Sequence, residues 1–456
     1  MRSSRRHTLL LLLLDGIAVF AAFNLTTWLR GVQPWGVMTT WPLLAPFALL
    51  VVALYLIDGY RARTELMSLD YASLHLLAHG FALVGTLLLT YVVIPASFPL
   101  QGSRTVIALS FAALTALTLT YRRSLHRWEE GERQERLIVF LGDAASGEAF
   151  RATCRDNQLH QPVHCVVTAP GPAAAHAGVA PSFHDVIHDV AAGRVAVEAI
   201  VLAENAGQLD ASSADRLVEL YFRGVPTFTL ELFYETYWRA IPLYRLNHVW
   251  LFQEGFEIAR NPVFQRAKRV IDTVAAALFL ALFSPLVAVA AAGIRLGDGG
   301  PAFYRQMRVG RNRRSFLLVK LRTMRVGADQ DPQIRPTTRN DPRITRWGRW
   351  LRATRLDEVP QLWNVLRGEM SLIGPRAEWT RLVTQYEQEI PCYHFRHLVR
   401  PGITGWAQVN HPHGAGVDDT RRKLEYDLYY IRHFSFRIDA SIVLKTIHVM
   451  LFGKGR

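Results

Sequence analysis

Long apolar stretches are the feature that most constrains how this 456-residue chain can fold. Four of them lie in the first 125 residues and cover residues 8–29, 37–57, 76–94 and 105–121. A helix needs roughly 17–25 apolar residues to cross the hydrocarbon core of a bilayer. We therefore predict an α-helical bundle of four membrane spans within residues 1–125.

Basic residues are distributed unequally between the two sides of this predicted bundle. They lie at the amino terminus, at Arg61 and Arg63 in the second loop, and in YRRSLHR after the fourth span, whereas the other two loops carry only Arg30 and Arg104. Because cytoplasmic loops are enriched in Lys and Arg, we expect both ends of the bundle to face the cytoplasm. No small-residue cleavage site follows the first segment, which indicates an anchor and not a signal peptide.

Residues 135–255 change to short apolar runs separated by polar, helix-like stretches. The runs are RLIVFLGD, VHCVVTAP, VEAIVLAE and GVPTFTLE. Strands that alternate with helices predict a small parallel α/β module of the Rossmann-like type. The first turn, GDAASGEAF, lacks the G-x-G-x-x-G spacing that lets a backbone approach a pyrophosphate. We therefore favour a regulatory or oligomerisation module over a cofactor site, and a homo-oligomer stays open.

A fifth apolar segment covers residues 274–294 and is interrupted by Ser284 and Pro285. Basic residues crowd both flanks, and no acid occurs between Arg305 and Arg325. A simple crossing would export that cluster, and proline bends a helix while serine can satisfy a freed carbonyl. We predict a re-entrant helix at about residues 270–295 that turns at Ser284-Pro285 and leaves on the cytoplasmic side. An ordinary span with a kink is the alternative.

The overall charge narrows the choice of partners. The formal net charge is +14, and half of the residues are apolar. This combination is typical of membrane proteins whose basic cytoplasmic faces contact anionic lipid headgroups or phosphate substrates, and we expect no nucleic-acid partner. The three cysteines are too few and too scattered to predict a disulfide framework or a zinc site.

The stretch RLDEVPQLWNV carries two adjacent acids, Asp357 and Glu358. Pro360 is tolerated in the first turn of a helix, so we expect the acids at a helix amino terminus with Asp357 as the N-cap. Free backbone N–H groups there would keep Asp357 ionised and would also receive a phosphoryl group. One acid could attack phosphorus while its neighbour binds Mg²⁺. A plain helix cap is the alternative.

An Arg- and Lys-rich run, AFYRQMRVGRNRRSFLLVKLRTM, precedes the acid pair. Guanidinium groups match phosphate oxygens bidentately, and a lysine supplies a point charge. Lys320 and Arg322 alternate at strand spacing, which predicts that they share one side of a strand. Contacts with lipid headgroups would explain the same composition.

Residues 264–456 resemble the bacterial sugar transferases, the polyprenyl-phosphate hexose-1-phosphate transferases that start exopolysaccharide, capsule and O-antigen assembly. The matching elements are KRVIDTVAA, SP, FYRQMRVGRNRRSFLLVKLRTM, DPRITRWGRWLRATRLDEVPQLWNVLRGEMSLIGPR, RPGITGWAQVN and EYDLYYIRHFSFRIDASIVLKTI. The layout of four spans and an α/β module before this region resembles the long members of the family. The family's GPRP reads GPRA here, with Ala377, and its DELPQ reads DEVPQ.

The resemblance implies a mainly helical catalytic domain, with a re-entrant membrane helix, on the cytoplasmic face of the bacterial inner membrane. It implies transfer of hexose-1-phosphate from a UDP-hexose to undecaprenyl phosphate through a sugar-phosphate on the enzyme, with release of UMP. Asp357 would be the nucleophile and a Mg²⁺ ligand, and Glu358 its partner in metal placement or proton handling. The residues that would contact substrate are Lys320, Arg322 and Arg376 and, more weakly supported, Arg355, Arg400 and Asp427, which could equally brace the fold.

Two other functions stay open at this stage. The chain could be a membrane scaffold or regulator whose acid pair only caps a helix, or a processive glycosyltransferase, which would release UDP instead of UMP. Three tryptophans, Trp347, Trp350 and Trp363, suit an amphipathic surface at headgroup depth, although burial in the core is as plausible.

Overall fold

The computed structural model describes residues 2–61, 64–93, 103–134, 136–157, 159, 161–167, 188–190, 192, 194–203, 211–243, 261–328, 341–411, 414 and 416–452. The chain divides into two compact units, Met1–Trp238 and Arg239–Arg456. The parallel strands expected for the middle module lie in the first unit. Ile241 and Leu243, which fall inside the predicted limits of that module, pack into the hydrophobic core of the second unit.

The first unit begins with the apolar helices α1 (Arg2–Leu29), α2 (Leu44–Leu56), α3 (Leu69–Leu88) and α4 (Arg104–Gln134). Within the described ranges, four helices are long and apolar enough to cross a membrane: Arg6–Leu29, Leu69–Val93, Arg104–Glu129 and Pro262–Gly297. Three predicted spans therefore match, although Ile94 lies outside the described residues. The second predicted span is a shorter apolar helix, Trp41–Leu56, which includes α2. It begins later than predicted because Pro42 lies in its first turn, where proline readily begins a helix.

A buried ion pair joins α1 and α4. The two terminal guanidinium nitrogens of Arg122 each donate at 2.7 Å to a carboxylate oxygen of Asp15, and the Tyr60 hydroxyl donates to the same carboxylate at 2.5 Å. Asp15 and Arg122 are fully buried. A charge inside an apolar bundle is tolerated only when it is paired in this way, so the pair specifies how α1 and α4 pack.

The α/β module has the parallel sheet that the sequence predicted. Strands β1 (Leu137–Gly142), β2 (Val163–Val167), β3 (Val197–Leu202) and β4 (Thr227–Thr229) pair in the order β2-β1-β3-β4. The helices are α5 (Ala144–Asp156), α6 (Ala211–Phe222) and α7 (Leu230–Tyr237). Asp143 caps α5 and accepts a hydrogen bond of 2.8 Å from the Ser146 amide. A carboxylate thus occupies the helix end where a dinucleotide would place its pyrophosphate.

The second unit is mainly helical, as expected, with two small sheets. Its helices are α8 (Pro262–Asp298), α9 (Arg346–Ala353), α10 (Gln361–Arg367), α11 (Thr380–Glu389), α12 (Trp406–Asn410), α13 (Val417–Arg432) and α14 (Phe436–Phe452). Antiparallel β5 (Phe303–Val309) pairs with β6 (Ser315–Leu321) and β8 (Glu378–Trp379), and β7 (Ser371–Ile373) pairs in parallel with β9 (Gly402–Thr404). One apolar core of this unit includes buried residues of α11, α13 and α14.

Helix α8 runs from Pro262 to Asp298 with Pro285 inside it. The predicted turn position, Ser284-Pro285, therefore lies within this helix, and a turn of the helix there stays a prediction. The Ser284 hydroxyl donates at 2.9 Å to the carbonyl of Ala281, the group that loses its partner because Pro285 has no N–H. This bond explains how the helix continues through proline. Whether α8 re-enters the membrane or crosses it stays a prediction.

Candidate active site

The acid pair lies on a single tight turn between α9 and α10. Leu356–Glu358 form a 3₁₀ turn that follows Arg355, whose φ of 58° is in the left-handed region. Pro360 occupies the position before α10, and neither this helix nor the turn receives a cap bond from a side chain. The predicted N-cap role of Asp357 is therefore wrong, since the reversal at Arg355 places the acids one turn before the helix.

Burial dominates the electrostatics of Asp357. Its side chain is only 7% exposed. Burial, followed by the nearby charge of Glu358, raises the pKa of Asp357 to about 6, although Lys320, Arg352 and Arg355 oppose this shift. The pKa of Asp357 is therefore raised and not lowered as helix N–H groups would make it, because removal from water disfavours the charged form, although the carboxyl is still mostly ionised at pH 7.

Lys320, on strand β6, is one of the cations whose charge counteracts the rise in the pKa of Asp357. It lies opposite Tyr304 in the β5–β6 pairing, with its ammonium 5.2 Å from the centre of the Tyr304 ring. Burial, then repulsion by Arg308 and Arg376, lowers the pKa of Lys320 to about 8, while Asp357 raises it. A carboxyl with a raised pKa beside an amine with a lowered pKa is typical of functional sites.

A small pocket opens beside these groups. It is lined by Arg308, Leu318, Lys320, Glu358, Gln361, Met370, Arg376, Ala377, Gly402 and Ile403. Three of the lining side chains are cations and one is an acid. Phosphate oxygens of a diphosphate would neutralise this excess of positive charge.

Arg308 was not among the candidates from the sequence. Its guanidinium donates to the carbonyl of Ala377 at 3.0 Å and to Gln306 at 2.6 Å, and it lies 3.4 Å from Glu378. The available signal was strand periodicity, because Arg308 lies four residues after Tyr304 on β5 and thus on the same face. Several other arginines lie in the same basic run. Only the pairing of the strands distinguishes Arg308 from them.

Glu358 lies between two arginines that the sequence proposed for substrate binding. One of its carboxylate oxygens is 3.6 Å from Arg355 and 3.9 Å from Arg376. The side chain of Arg376 is 46% exposed, so it can contact a ligand. Arg355 and Arg376 therefore both lie beside Glu358, and their contact with substrate stays a prediction.

Asp427 does not line the pocket but supports a residue that does. It pairs at 2.8 Å with Arg396, and Arg396 donates a 3.1 Å hydrogen bond to the carbonyl of Arg376. Both charged groups of the pair are buried. Of the two alternatives left open for Asp427, the structure favours bracing. The backbone on either side of Ala377 is therefore held without the proline of the GPRP pattern.

Comparison with known proteins agrees with the geometry. The model of the family described as bacterial sugar transferase matches residues 263–453. A UDP-glucose:undecaprenyl-phosphate glucose-1-phosphate transferase of Escherichia coli K12 is 31% identical over 352 residues, which cover 74% of this chain and 74% of that relative. This chain belongs to the bacterial sugar transferase family.

Other sugar transferases match a shorter region. A UDP-N-acetylgalactosamine-undecaprenyl-phosphate N-acetylgalactosaminephosphotransferase of Aeromonas hydrophila is 44% identical over 46% of this chain and 49% of its own length. A UDP-glucose:undecaprenyl-phosphate glucose-1-phosphate transferase of Xanthomonas campestris is 42% identical over 41% of this chain and 40% of its own length. The chain thus spans half or less of the length of these two relatives.

Two predicted substrate residues of this sugar transferase do not line the pocket beside the acid pair. Strand β6 ends at Leu321, and Arg322 is buried against Gly300, where any added Cβ would overlap its guanidinium. Arg400 donates to the carbonyl of Gly368 at 3.0 Å and lines a different pocket. Lys320 lines the pocket beside the acid pair, whereas Arg322 and Arg400 are not among its lining residues.

The tryptophans of this sugar transferase form an exposed apolar surface. Trp347, Trp350 and Trp363 are 45%, 48% and 53% exposed, which excludes burial in the core. Trp347 and Trp350 line an apolar pocket with Leu286 and Val289 of α8. Such a surface fits headgroup depth in a bilayer.

The acid pair is suited to a cation that is shared with substrate. Within the described part of the chain, no group of three or more His, Cys, Asp or Glu side chains could hold a metal ion. Asp357 and Glu358 repel each other, however, and a dication between them would relieve that repulsion. Because Mg²⁺ is commonly held by one or two carboxylates plus substrate phosphates, the residues present fit such an ion.

Proposed function

We propose that this sugar transferase moves a hexose-1-phosphate from a UDP-hexose to undecaprenyl phosphate and releases UMP. The observation that carries the proposal is the buried carboxyl of Asp357, which interacts with the charge of Lys320, next to Glu358. Glu358 lines a pocket that is also lined by Lys320, Arg308 and Arg376. The names of the E. coli and Xanthomonas relatives describe this reaction with UDP-glucose.

In the first half-reaction, an ionised oxygen of Asp357 attacks the phosphorus that carries the sugar. A carboxylate–phosphorus bond forms, the bond to the bridging oxygen of the diphosphate breaks, and UMP leaves with that electron pair. Lys320, Arg308 and Arg376 neutralise charge on the equatorial and leaving oxygens. Phosphoryl transfer needs chiefly this neutralisation and correct positioning.

In the second half-reaction, an oxygen of undecaprenyl phosphate attacks the same phosphorus. The bond to Asp357 breaks, its carboxylate is restored, and the product is an undecaprenyl diphosphate sugar. The donor dissolves in water while the acceptor stays in lipid, so the pocket must lie at the membrane surface. The apolar helix α8 and the exposed pair Trp347 and Trp350 support this location.

Asp357 and Glu358 would hold Mg²⁺ together with diphosphate oxygens of the donor. When bound, the ion would supply positive charge to the oxygens that become more negative during transfer. Glu358 would keep its place through Arg355 and Arg376.

We place the reaction on the cytoplasmic face of the bacterial inner membrane, as the first membrane step of exopolysaccharide, capsule or O-antigen synthesis. The dense basic run between Arg305 and Arg325 supports a cytoplasmic position for the pocket. The name of another relative, an exopolysaccharide production protein of Rhizobium leguminosarum that is 39% identical over 98% of its length, is consistent with this role.

A panel of UDP-sugars incubated with membranes that contain the protein, undecaprenyl phosphate and Mg²⁺ tests the proposal. We expect UMP to be released with at least one of UDP-glucose, UDP-galactose and their N-acetylated forms. Release of UDP would instead indicate a glycosyltransferase, and no nucleotide release with any donor would favour a scaffold. With donor alone, we expect a covalent adduct at Asp357; its absence while product forms would reject the two-step route.

A further inference from the structure

A second pocket in the same unit lies apart from the acid pair. Gln265, Lys268 and Asp272 of α8 line one side, and the other side includes Arg311, Ser371 and Arg400. The reaction proposed above uses none of these side chains.

Positive charge exceeds negative charge around this second pocket. Lys268 is offset by Asp439 at 2.6 Å, so it adds little net charge. Asp272 accepts a hydrogen bond of 2.7 Å from the Ser371 hydroxyl and is the acid left to balance Arg311 and Arg400.

The arginines of the second pocket are held close together without full compensation. Burial, then repulsion by Arg311 and Arg269, lowers the pKa of Arg400. Among the described residues, the buried Nε of Arg311 has no hydrogen-bond partner. A pocket with surplus guanidinium charge and an open donor is suited to an anion, and phosphate oxygens match the guanidinium fork.

The position of the pocket along α8 indicates where that anion would lie. Gln265, Lys268 and Asp272 are three and then four residues apart, so they lie on one face of the helix. They occupy the turns just before the apolar run that begins at Val274. Where an apolar helix leaves the hydrocarbon, the phosphates of the lipid headgroups are the nearest anions.

The second pocket shares chain segments with the acid-pair pocket. Arg311 lines the second pocket, and Arg308 lines the first. Likewise, Ser371 lines the second pocket and its neighbour Met370 lines the first. Ser371 also pairs with Gly402, which lines the first pocket, across the β7–β9 sheet. An anion in the second pocket would therefore brace backbone segments that also form the first.

We propose that this pocket binds the phosphate of an anionic phospholipid at the cytoplasmic membrane surface, through Arg311 and Arg400. The lipid is a structural ligand and takes no part in group transfer. Binding would tie the base of α8 to the headgroup layer.

Native mass spectrometry of the detergent-solubilised full chain tests this site. Phosphatidylglycerol is titrated against phosphatidylcholine, without any UDP-sugar, so the result does not depend on the proposed reaction. We expect phosphatidylglycerol to bind in preference and Arg311→Gln to weaken its binding about tenfold, which corresponds to about 1.4 kcal/mol, because a charged hydrogen bond is lost. Arg314→Gln, which removes an exposed arginine three residues away, is the matched control.

Two further arms keep the test decisive. Arg400→Lys retains the charge but loses the guanidinium fork, so it should weaken binding even if Arg400→Gln fails to fold. Inorganic phosphate that displaces the lipid at equal concentration would indicate a soluble phosphate ligand and overturn the lipid assignment. Equal binding by the wild type, Arg311→Gln and Arg400→Lys would overturn the site itself.

Discussion

Arg396 donates a hydrogen bond of 3.1 Å to the backbone carbonyl of Arg376, from a position twenty residues further along the chain. Arg396 is itself buried and paired with Asp427 at 2.8 Å. It also donates to the Tyr393 hydroxyl at 2.6 Å. A buried charged pair thus supports the segment that presents the exposed guanidinium of Arg376 to the pocket.

Asp427→Asn should therefore destabilise the protein and weaken donor binding. Removing one partner leaves the Arg396 charge buried without compensation, which typically costs about 3–5 kcal/mol. Denaturant unfolding in detergent measures the stability, and the KM for the UDP-sugar reports on Arg376. Asp418→Asn is the control, because Asp418 is fully exposed and pairs only at the surface with Arg421. If the two variants are equally stable, the bracing role is refuted.

Asp357→Asn should abolish UMP release while the protein still inserts into membranes. The amide keeps the shape of the side chain but cannot attack phosphorus, and loss of a nucleophile costs at least about 10³-fold in rate. Nucleotide release from purified membranes measures the effect, and Asp418→Asn again serves as the control. Near-native turnover by the Asp357 variant would show that another group attacks.

The rate of UMP release should depend on pH with an optimum between the two pKa values at the site. Asp357, with a pKa raised to about 6, must be ionised to attack, so the rate should fall about tenfold as the pH drops from 7 to 5. Lys320, with a pKa lowered to about 8, loses its charge as the pH rises above that value, so the rate should fall again.

Lys320→Arg separates the two limbs of that profile. Arginine stays protonated at high pH, so the variant should lose the alkaline limb and keep the acid limb. An unchanged alkaline limb in this variant would mean that a different group titrates there.

Gly348→Ala should destabilise the second unit by about 1–3 kcal/mol, as expected for overpacking. A Cβ at this position would overlap the carbonyl of Thr323, which already accepts a hydrogen bond of 3.0 Å from the Thr345 amide. Thermal unfolding in detergent measures the change. Gly297→Ala is the matched control, since nothing lies within 4 Å of a Cβ there. Equal stability of both variants would contradict close packing of α9 on this carbonyl.

The course of α8 is testable with a membrane-impermeant thiol reagent. Arg314→Cys, in the basic run after the helix, should stay unlabelled in intact cells if both ends of α8 face the cytoplasm. Val37 lies between α1 and the apolar helix that begins at Trp41, on the side opposite to the predicted cytoplasmic ends, and is 48% exposed, so Val37→Cys should react. Labelling of both positions would establish that α8 crosses the membrane.

Local pattern was sufficient for much of the architecture. Apolar runs of spanning length predicted four N-terminal spans. Three of them are long apolar helices in the structure, and one is a shorter apolar helix. Alternating apolar and polar stretches predicted the parallel sheet, because strand and helix periodicities are properties of neighbouring residues. The acid pair Asp357 and Glu358 was visible for the same reason, as were the arginines next to it in sequence.

Contacts between distant segments decided what the sequence left open. Burial raised the pKa of Asp357, the charge of Lys320 on β6 opposes that rise, and Arg322 is buried against Gly300. Arg308 lines the pocket beside the acid pair and Arg400 lines the second pocket. Contacts between distant segments decide both positions, and no local pattern contains them. These outcomes depend on desolvation and on long-range packing, which exist only once the chain is folded.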